Sequence, residues 1–183
     1  MQFGKKILET VGRFSEDEIA LFETKLTKKV FSKNDLLLVE GNCCNYVYYV
    51  ISGAAYQFSY NDIDENIIGL YSEGDWCFSY YSFVNRKPSN TAIKAFSDME
   101  VLELTGNSIH ELIGLYPAFF KLGKILEQTI TRIQYFDNGS TAFEKHNHLF
   151  LSRPDLFQNF PLKMIASYLK IAPETLSRIR GKK

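Results

Sequence analysis

Short strand-forming segments separated by turn residues occupy the middle of the chain, and they constrain its fold more than any other feature. They run over residues 36–39, 46–51, 54–60, 66–71, 91–96 and 100–105, with Gly, Asn or Asp between them. Short strands repeated at intervals of about ten residues are typical of antiparallel sandwiches and barrels. We therefore predict a β-rich unit over about residues 31–105. Residues 1–30 are expected to be helical, with a capping box formed by Ser15 and Glu18.

Two short helices are predicted within Pro161–Arg180. The apolar residues of the first recur at the helical spacing i, i+3, i+4, i+7: Leu162, Ile165, Ala166 and Leu169. Pro173 suits the first position of the second helix, where its missing N–H costs nothing. The outward side of this helix is rich in donors and acceptors, which can read base edges as in a helix-turn-helix. A helical hairpin that only packs a core is the alternative interpretation.

A third predicted feature is a long helix that begins at Ala118, after a short helix over Ile109–Leu115. Its residues recur at the heptad spacing of three and four that is typical of a helix–helix interface: Phe119, Leu122, Leu126, Thr129, Ile133 and Phe136. We interpret them as a homodimer interface, with packing of the helix on its own sheet as the alternative. A hinge is predicted at 137–140, and Thr141 and Glu144 form a second capping box that opens another helix.

Charge is unevenly distributed, although the formal net charge is zero. Between Phe31 and Thr105 there are ten acidic and four basic residues, whereas from Pro154 onward there are six basic and two acidic residues. Phosphates would be attracted to the C-terminal part, although a frayed basic terminus has the same composition. Apolar runs are too short to span a membrane, and the N-terminus lacks the apolar core of a signal peptide. We expect a cytoplasmic protein without a membrane partner.

The string PETLSRIR (173–180) resembles the recognition helix of the CRP/FNR family of bacterial regulators. The segments VYYVISG (47–53) and EGDW (73–76) resemble the β-roll of cyclic-nucleotide-binding domains, so the resemblance covers nearly the whole chain. The resemblance is strongest to the short members of the family that lack a β-hairpin wing after the helix-turn-helix. The resemblance implies an α+β fold, in which a cyclic-nucleotide-binding-like sensor domain over 1–117 contains an antiparallel double-stranded β-roll, or jelly roll, over about 31–105. A long central dimerisation helix (118–136) and an all-α helix-turn-helix domain (140–183) would follow.

The function that the resemblance implies is that of a homodimeric transcription regulator, not an enzyme, which reads a roughly palindromic site in double-stranded DNA. RNA polymerase is a further candidate partner. Glu174 and Arg178 would read bases, and Thr175 and Ser177 would contact phosphates. The full set of predicted DNA-contacting residues is Lys163, Pro173, Glu174, Thr175, Ser177, Arg178 and Arg180. Lys170 and Ala172 replace the usual turn Gly and the Ser or Thr N-cap, at a cost of about 1–2 and about 1 kcal/mol.

The phosphate cassette of the family, G-D-x-x-G-E followed by R-[ST]-A, is altered here. Ser79 stands in the place of the Glu, and Asn90 in the place of the Arg. Because charge-assisted pairing is the strong part of a phosphate site, we predict that cAMP does not bind in the family's manner, and we expect no cofactor. An apolar or aromatic effector is an alternative to simple core packing for the predicted pocket: Trp76, Phe78, Ser79, Tyr80, Asn90 and Thr91.

Other functions remain as alternatives at this stage. Lys170, Ala172 and the expected absence of a wing also suit a ligand-binding β-roll module whose DNA binding has decayed. A metal-dependent barrel enzyme would need histidines on the barrel, and residues 31–105 contain none. Three cysteines, Cys43, Cys44 and Cys77, are too few for a four-ligand zinc or iron–sulfur site. Cys43 and Cys44 are interpreted as reduced thiols, with redox sensing as the alternative.

Overall fold

The middle of the chain folds into two antiparallel four-stranded sheets in a computed structural model, which describes residues 3–61, 64–127, 129 and 140–181. The sheets have the strand orders β1-β8-β3-β6 and β2-β7-β4-β5, which confirms the predicted β-roll. Their strands are β1 (Thr27–Phe31), β2 (Leu36–Leu38), β3 (Tyr46–Ser52), β4 (Ala55–Asn61), β5 (Asp64–Tyr71), β6 (Trp76–Cys77), β7 (Ala92–Ala95) and β8 (Met99–Thr105).

One connection shows why the sequence places glycine where it does. Gly53 joins β3 to β4 with a φ of +85°, and an added Cβ would lie 2.3 Å from the carbonyl oxygen of Asp98. Any side chain at this position would therefore meet both the left-handed backbone penalty and a backbone clash. The tight turn lets β4 enter the second sheet immediately after β3 leaves the first.

Helices flank the β-roll and form the C-terminal part of the chain. They are α1 (Phe3–Glu9), α2 (Glu16–Thr24), α3 (Tyr80–Asn85), α4 (Gly106–Leu115), a 3-10 helix (Pro117–Leu122) that continues as an α-helix over 123–127, α5 (Ala142–Ser152), α6 (Pro154–Asn159), α7 (Leu162–Tyr168) and α8 (Pro173–Arg180). Both predicted capping boxes are present, at Ser15 with Glu18 and at Thr141 with Glu144.

The prediction that residues 1–30 are helical is wrong for residues 27–30, which belong to the strand Thr27–Phe31. These residues form the edge strand β1, in which Thr27 to Phe31 pair in register with Glu103 to Met99 of β8. The edge of β8 supplies hydrogen-bonding partners for the backbone of this segment, and a sequence pattern cannot reveal a partner that lies about seventy residues away.

The start of the central helix is buried in its own subunit, which corrects part of the predicted dimer interface. Phe119 is 0% exposed and Leu122 is 4% exposed, and the ring of Phe119 lies 5.4 Å from that of Phe14 and 6.3 Å from that of Phe22. Neither Phe119 nor Leu122 is accessible to a partner, because both belong to the main hydrophobic core of their own subunit. Leu126 and Thr129 are half-buried. The positions 133 and 136, like most of the predicted hinge, lie outside the described residues.

A second hydrophobic cluster joins the C-terminal helices to the outer face of the sheet that contains β4 and β5. On the sheet side it includes Tyr56, Phe58 and Ile67, which are 8%, 1% and 5% exposed. On the helical side it contains Leu149, Leu156, Phe160, Ile165, Ala166, Tyr168, Leu169 and Leu176. The backbone N–H of Ile67 on the edge strand β5 also donates to Ser167 Oγ of α7 at 3.0 Å. The helices therefore share a core with the β-roll.

Arg153, at the junction of α5 and α6, ties the C-terminal helices to the turn before β6. Its Nη1 and Nη2 donate to the two carboxylate oxygens of Asp75 at 3.1 and 2.7 Å, and Nη2 also donates to Ser72 Oγ at 2.8 Å. Asp155 receives further hydrogen bonds from the same guanidinium. The Asp75 side chain is only 9% exposed, so the guanidinium neutralises a carboxylate that has little access to water.

We expect Phe119→Ala to destabilise the protein by about 3–5 kcal/mol, because it leaves a cavity in the core. The matched variant Phe120→Ala removes a ring that is 69% exposed, and it should change the free energy of unfolding by about 0.5 kcal/mol or less. Urea unfolding at one protein concentration measures both variants. A Phe119→Ala protein that becomes monomeric without losing stability would restore Phe119 to the dimer interface.

Arg153→Met should destabilise the protein by about 3 kcal/mol, because it removes the guanidinium that neutralises the Asp75 carboxylate in a poorly solvated place. Arg153→Lys should recover only part of this loss, since an ammonium cannot donate to two carboxylates as a planar fork does. Urea unfolding again gives the measurement. Equal stability of the wild type and Arg153→Met would show that the ion pair does not hold the helices to the β-roll.

This ion-pair network also makes the stability depend on pH. Partial burial acts to raise the pKa of Asp155, but hydrogen bonds from Arg153 and Ser72 outweigh it and hold the pKa below its ordinary value. The stabilisation should be complete above the unfolded-state pKa of about 3.9 and disappear as the pH falls through the lower folded-state pKa. The stability difference between the wild type and Asp155→Asn should therefore shrink below about pH 4. A difference that persists unchanged in stronger acid would contradict this.

Candidate functional site

The helices α7 and α8 form a two-helix unit around a shared interior. Ile165, Ala166, Leu169 and Leu176 are all 0% exposed. Between the helices Lys170 has a φ of 56°, so it takes the left-handed conformation usually reserved for Gly. The N–H of Ile171 donates to the carbonyl oxygen of Ala166 at 3.0 Å and closes the end of α7. Leu162 was predicted to be on the buried face, but it is 37% exposed because α7 begins there, outside the shared core.

The side of α8 that faces away from this interior is open to solvent. The exposed residues on α8 are Pro173, Glu174, Ser177, Arg178 and Arg180, and Lys163 is exposed on α7. Thr175 is half-buried, and its Oγ1 accepts a hydrogen bond from Arg178 Nη2 at 3.3 Å. Ala172 provides no side-chain cap, and Pro173 occupies the first turn. The fold thus brings the predicted DNA-contacting residues together on two adjacent helices, and the burial of Leu176 sets which side of α8 faces outward.

At the altered cassette, neutral side chains form a buried hydrogen-bond network. Ser89 Oγ lies 3.0 Å from Ser79 Oγ and 3.0 Å from Thr91 Oγ1. Gln57 Nε2 donates to Thr91 Oγ1 at 2.7 Å, and Tyr71 OH donates to Gln57 Oε1 at 2.8 Å. The hydroxyls and the amide satisfy one another. Ser79 therefore takes part in the packing of the β-roll at the place where the family's Glu would bind a ribose.

The remaining predicted pocket residues differ in how far they are buried. Trp76 and Phe78 are 8% and 1% exposed and belong to the main core, so core packing is the interpretation that holds for these two residues. Tyr80 is half-buried and Asn90 is exposed. Arg86 is exposed, and its Nη2 lies 3.2 Å from His110 Nε2. The guanidinium thus faces α4.

The part of the chain that the structure describes contains no group of three or more His, Cys, Asp and Glu residues that could hold a metal ion. Cys43 is exposed and Cys44 is buried, and burial raises the pKa of the Cys44 thiol. A buried thiol with a raised pKa forms little of the reactive thiolate, which weakens the case for redox sensing by this residue. Across the described helices, none has the length and hydropathy that crossing a bilayer requires.

Two features of the structure could not be found from the sequence patterns. Arg153 pairs with Asp75 across 78 positions, and no local spacing signals such a pair. A pocket of about 640 Å³ opens between α3, α4 and the start of the central helix. Its walls come from four separate segments, so neither a motif nor a periodicity marks it.

Comparisons with known proteins agree with this architecture. Residues 28–116 match the family model of the cyclic nucleotide-binding domain. No curated protein sequence matches the chain at a significant level. Among solved structures, FixK2 from Bradyrhizobium japonicum is 19% identical with a TM-score of 0.65, and the alignment covers 86% of this chain and 83% of FixK2.

Two further structures are similar over most of the chain. The catabolite activator protein of Thermus thermophilus is 17% identical with a TM-score of 0.58, over 92% of this chain and 83% of that one. A CooA mutant from Carboxydothermus hydrogenoformans is 18% identical with a TM-score of 0.63, over 96% and 83%. At these identities the likeness establishes the fold. Residues 28–116 are therefore similar to a cyclic nucleotide-binding domain, and the chain shares the fold of these three structures.

Proposed function

We propose that this protein is a homodimeric, DNA-binding transcription regulator, whose β-roll responds to a small molecule other than cAMP. The observation that carries the proposal is the open side of α8, where Glu174 and Arg178 are exposed next to each other on one helical turn. Both belong to the string that resembles the CRP/FNR recognition helix. Glu174 and Arg178 are i and i+4 on the helix, and both lie on the side opposite the buried Leu176.

Base reading would follow from the chemistry of these side chains. Arg178 can donate two parallel hydrogen bonds to guanine O6 and N7, and Glu174 can accept from cytosine N4. Lys163 and Arg180 would neutralise phosphates and hold the helix in register. Because Leu176 and Leu169 are both 0% exposed, the orientation of α8 would be set before DNA arrives.

We assign dimerisation to the distal part of the central helix. Leu126 and Thr129 are half-buried in one subunit, and residues 133 and 136 follow them at heptad spacing. A two-fold dimer of this kind would present its two α8 helices to half-sites about one helical turn, or about 34 Å, apart.

The link between the β-roll and α8 would pass through Arg153. Its partners Ser72 and Asp75 lie in the turn immediately before β6 and the altered cassette, and its backbone lies at the junction of α5 and α6. A ligand that moved this turn would act on the helices that support α8. Such a ligand can shift the population of DNA-competent dimers only by its difference in affinity for the two states.

Arg178→Ala should weaken binding to a DNA site selected from random sequence by about 1–3 kcal/mol and relax the preference at one base pair of each half-site. Lys163→Ala should weaken binding similarly on all sequences and reduce the salt slope by about 1. Fluorescence anisotropy with labelled duplexes at several salt concentrations measures both effects.

The matched control for charge is Lys29→Ala, because Lys29 is exposed on β1, away from the two-helix unit, and this variant should leave DNA affinity unchanged. Equal loss in Lys29→Ala and Arg178→Ala would mean that only net charge matters. Absence of salt-dependent binding to any selected duplex would contradict the regulator and favour a β-roll module without DNA binding.

Calorimetric titration with cAMP should show no saturable binding, because the altered cassette has neutral Ser79 and Asn90 where the family uses Glu and Arg. Asn90 is exposed, so Asn90→Arg should fold and should bind cAMP more tightly than the wild type does. Saturation of the wild type at one cAMP per subunit would contradict the proposal that the effector is another molecule.

A further inference from the structure

The pocket between α3, α4 and the start of the central helix has the composition of a small-molecule site. Its volume is about 640 Å³, within the range of about 300–1,000 Å³ that ligand pockets occupy. The apolar wall is formed by Val47, Phe83, Ile109, Ile113, Leu122 and Leu126. These residues are buried or half-buried, so the wall exists without any rearrangement of the core.

The lining of the pocket also includes polar residues, among them Arg86 and His110. Arg86 and His110 both line the pocket and are both exposed, and Arg86 Nη2 lies 3.2 Å from His110 Nε2. In the described part of the chain, this imidazole is the one hydrogen-bond partner of the Arg86 guanidinium, and no carboxylate forms an ion pair with it. A guanidinium that lines an apolar pocket and has no carboxylate partner is suited to bind a planar anion.

The backbone of Arg86 supports a specific placement of this side chain. Arg86 ends α3 in the left-handed conformation, with a φ of 53°. A non-glycine residue pays an energetic penalty for this conformation, and its carbonyl oxygen accepts a hydrogen bond from Cys43 Sγ at 3.8 Å. The backbone of Arg86, which supplies the positive charge of the pocket, thus adopts a left-handed conformation that is unfavourable for a non-glycine residue.

We propose that this pocket binds a small amphipathic carboxylate. Its carboxylate group would pair with the guanidinium of Arg86, and its apolar part would contact the apolar wall described above. This assigns the chemical class of the effector of the proposed regulator, and it rests on that proposed function only for the link to DNA. A cyclic nucleotide fits less well, because its ribose and base need several polar partners and the wall is apolar.

The position of the pocket would allow a bound carboxylate to affect both the C-terminal helices and the dimer interface. Phe83 and Arg86 belong to α3 and its end, which follow the altered cassette directly. The same segment begins at the turn that Arg153 holds through Asp75. Leu122 and Leu126 belong to the first part of the central helix, whose distal part we assign to the dimer interface. A ligand in this pocket would contact α3, which follows the turn that Arg153 binds. It would also contact the central helix, whose distal part we assign to the dimer interface.

Isothermal titration of the full chain with decanoate, without DNA, tests the proposal, and decanol is the uncharged probe of the same chain length. We expect decanoate to saturate at one molecule per subunit, and to bind more tightly than decanol. Arg86→Gln should weaken decanoate binding about tenfold or more, the effect expected for loss of a charged hydrogen bond. Lys87→Gln removes the neighbouring exposed charge, which does not line the pocket, and should leave the affinity unchanged.

A second variant, Val84→Asp, places a negative charge on an exposed part of the lining and should also abolish decanoate binding. Absence of saturable binding, or equal affinities of the wild type and Arg86→Gln, would overturn the proposal. A second copy of the chain could occupy the pocket instead, and sedimentation with and without decanoate tests this. If decanoate dissociates dimers of the wild type and of Arg86→Gln equally, the proposal of a carboxylate site is overturned. Decanoate binding that depends on Arg86 in a protein that binds no DNA would support the pocket while contradicting the proposed regulator.

Discussion

The structure depends on one sheet, that of β2, β7, β4 and β5, being buried on both faces. Alternate residues of β4 point in opposite directions, so Ala55 belongs to the core between the sheets while Tyr56 and Phe58 belong to the cluster with the C-terminal helices. Burial of each large apolar side chain contributes about 1.5–3 kcal/mol. If the helices left, the outer face of the sheet and the buried side of α7 would both be exposed to water. The orientation of α8 is therefore tied to the β-roll by hydrophobic burial as well as by Arg153.

Much of the fold could be predicted because its signals are local. Strand-forming segments end at turn residues such as Gly53, and both capping boxes lie within four consecutive residues. The predictions were wrong where contacts with residues distant in the sequence determine the secondary structure or the burial of a segment. Thr27–Phe31 is a strand only because β8 lies beside it. The heptad spacing places Phe119 and Leu122 on one side of a helix, but spacing alone cannot say whether that side meets a partner or the rings of Phe14 and Phe22.

The candidate site divides in the same way. The outward residues of α8 were predictable, because the burial of one residue, Leu176, sets the orientation of a short helix. At the cassette, the sequence showed that Ser79 and Asn90 replace Glu and Arg, but not which contacts the replacements make. The hydroxyl of Ser79 lies in a network with Ser89, Thr91 and Gln57, which requires the segments before α3 and before β7 to lie beside β4. The contact between Arg86 and His110 likewise requires α3 and α4 to be adjacent.

The central claim is that the open side of α8 enters the major groove of DNA, once in each subunit of a dimer. Methylation interference on a selected DNA site tests this most directly, because methylation of guanine N7 blocks the atom that an arginine would contact in the major groove. The account predicts interference at two clusters of guanines separated by about one helical turn, or 10–10.5 base pairs, and loss of that interference in Arg178→Ala. Binding that tolerates methylation at every guanine N7 would contradict the claim.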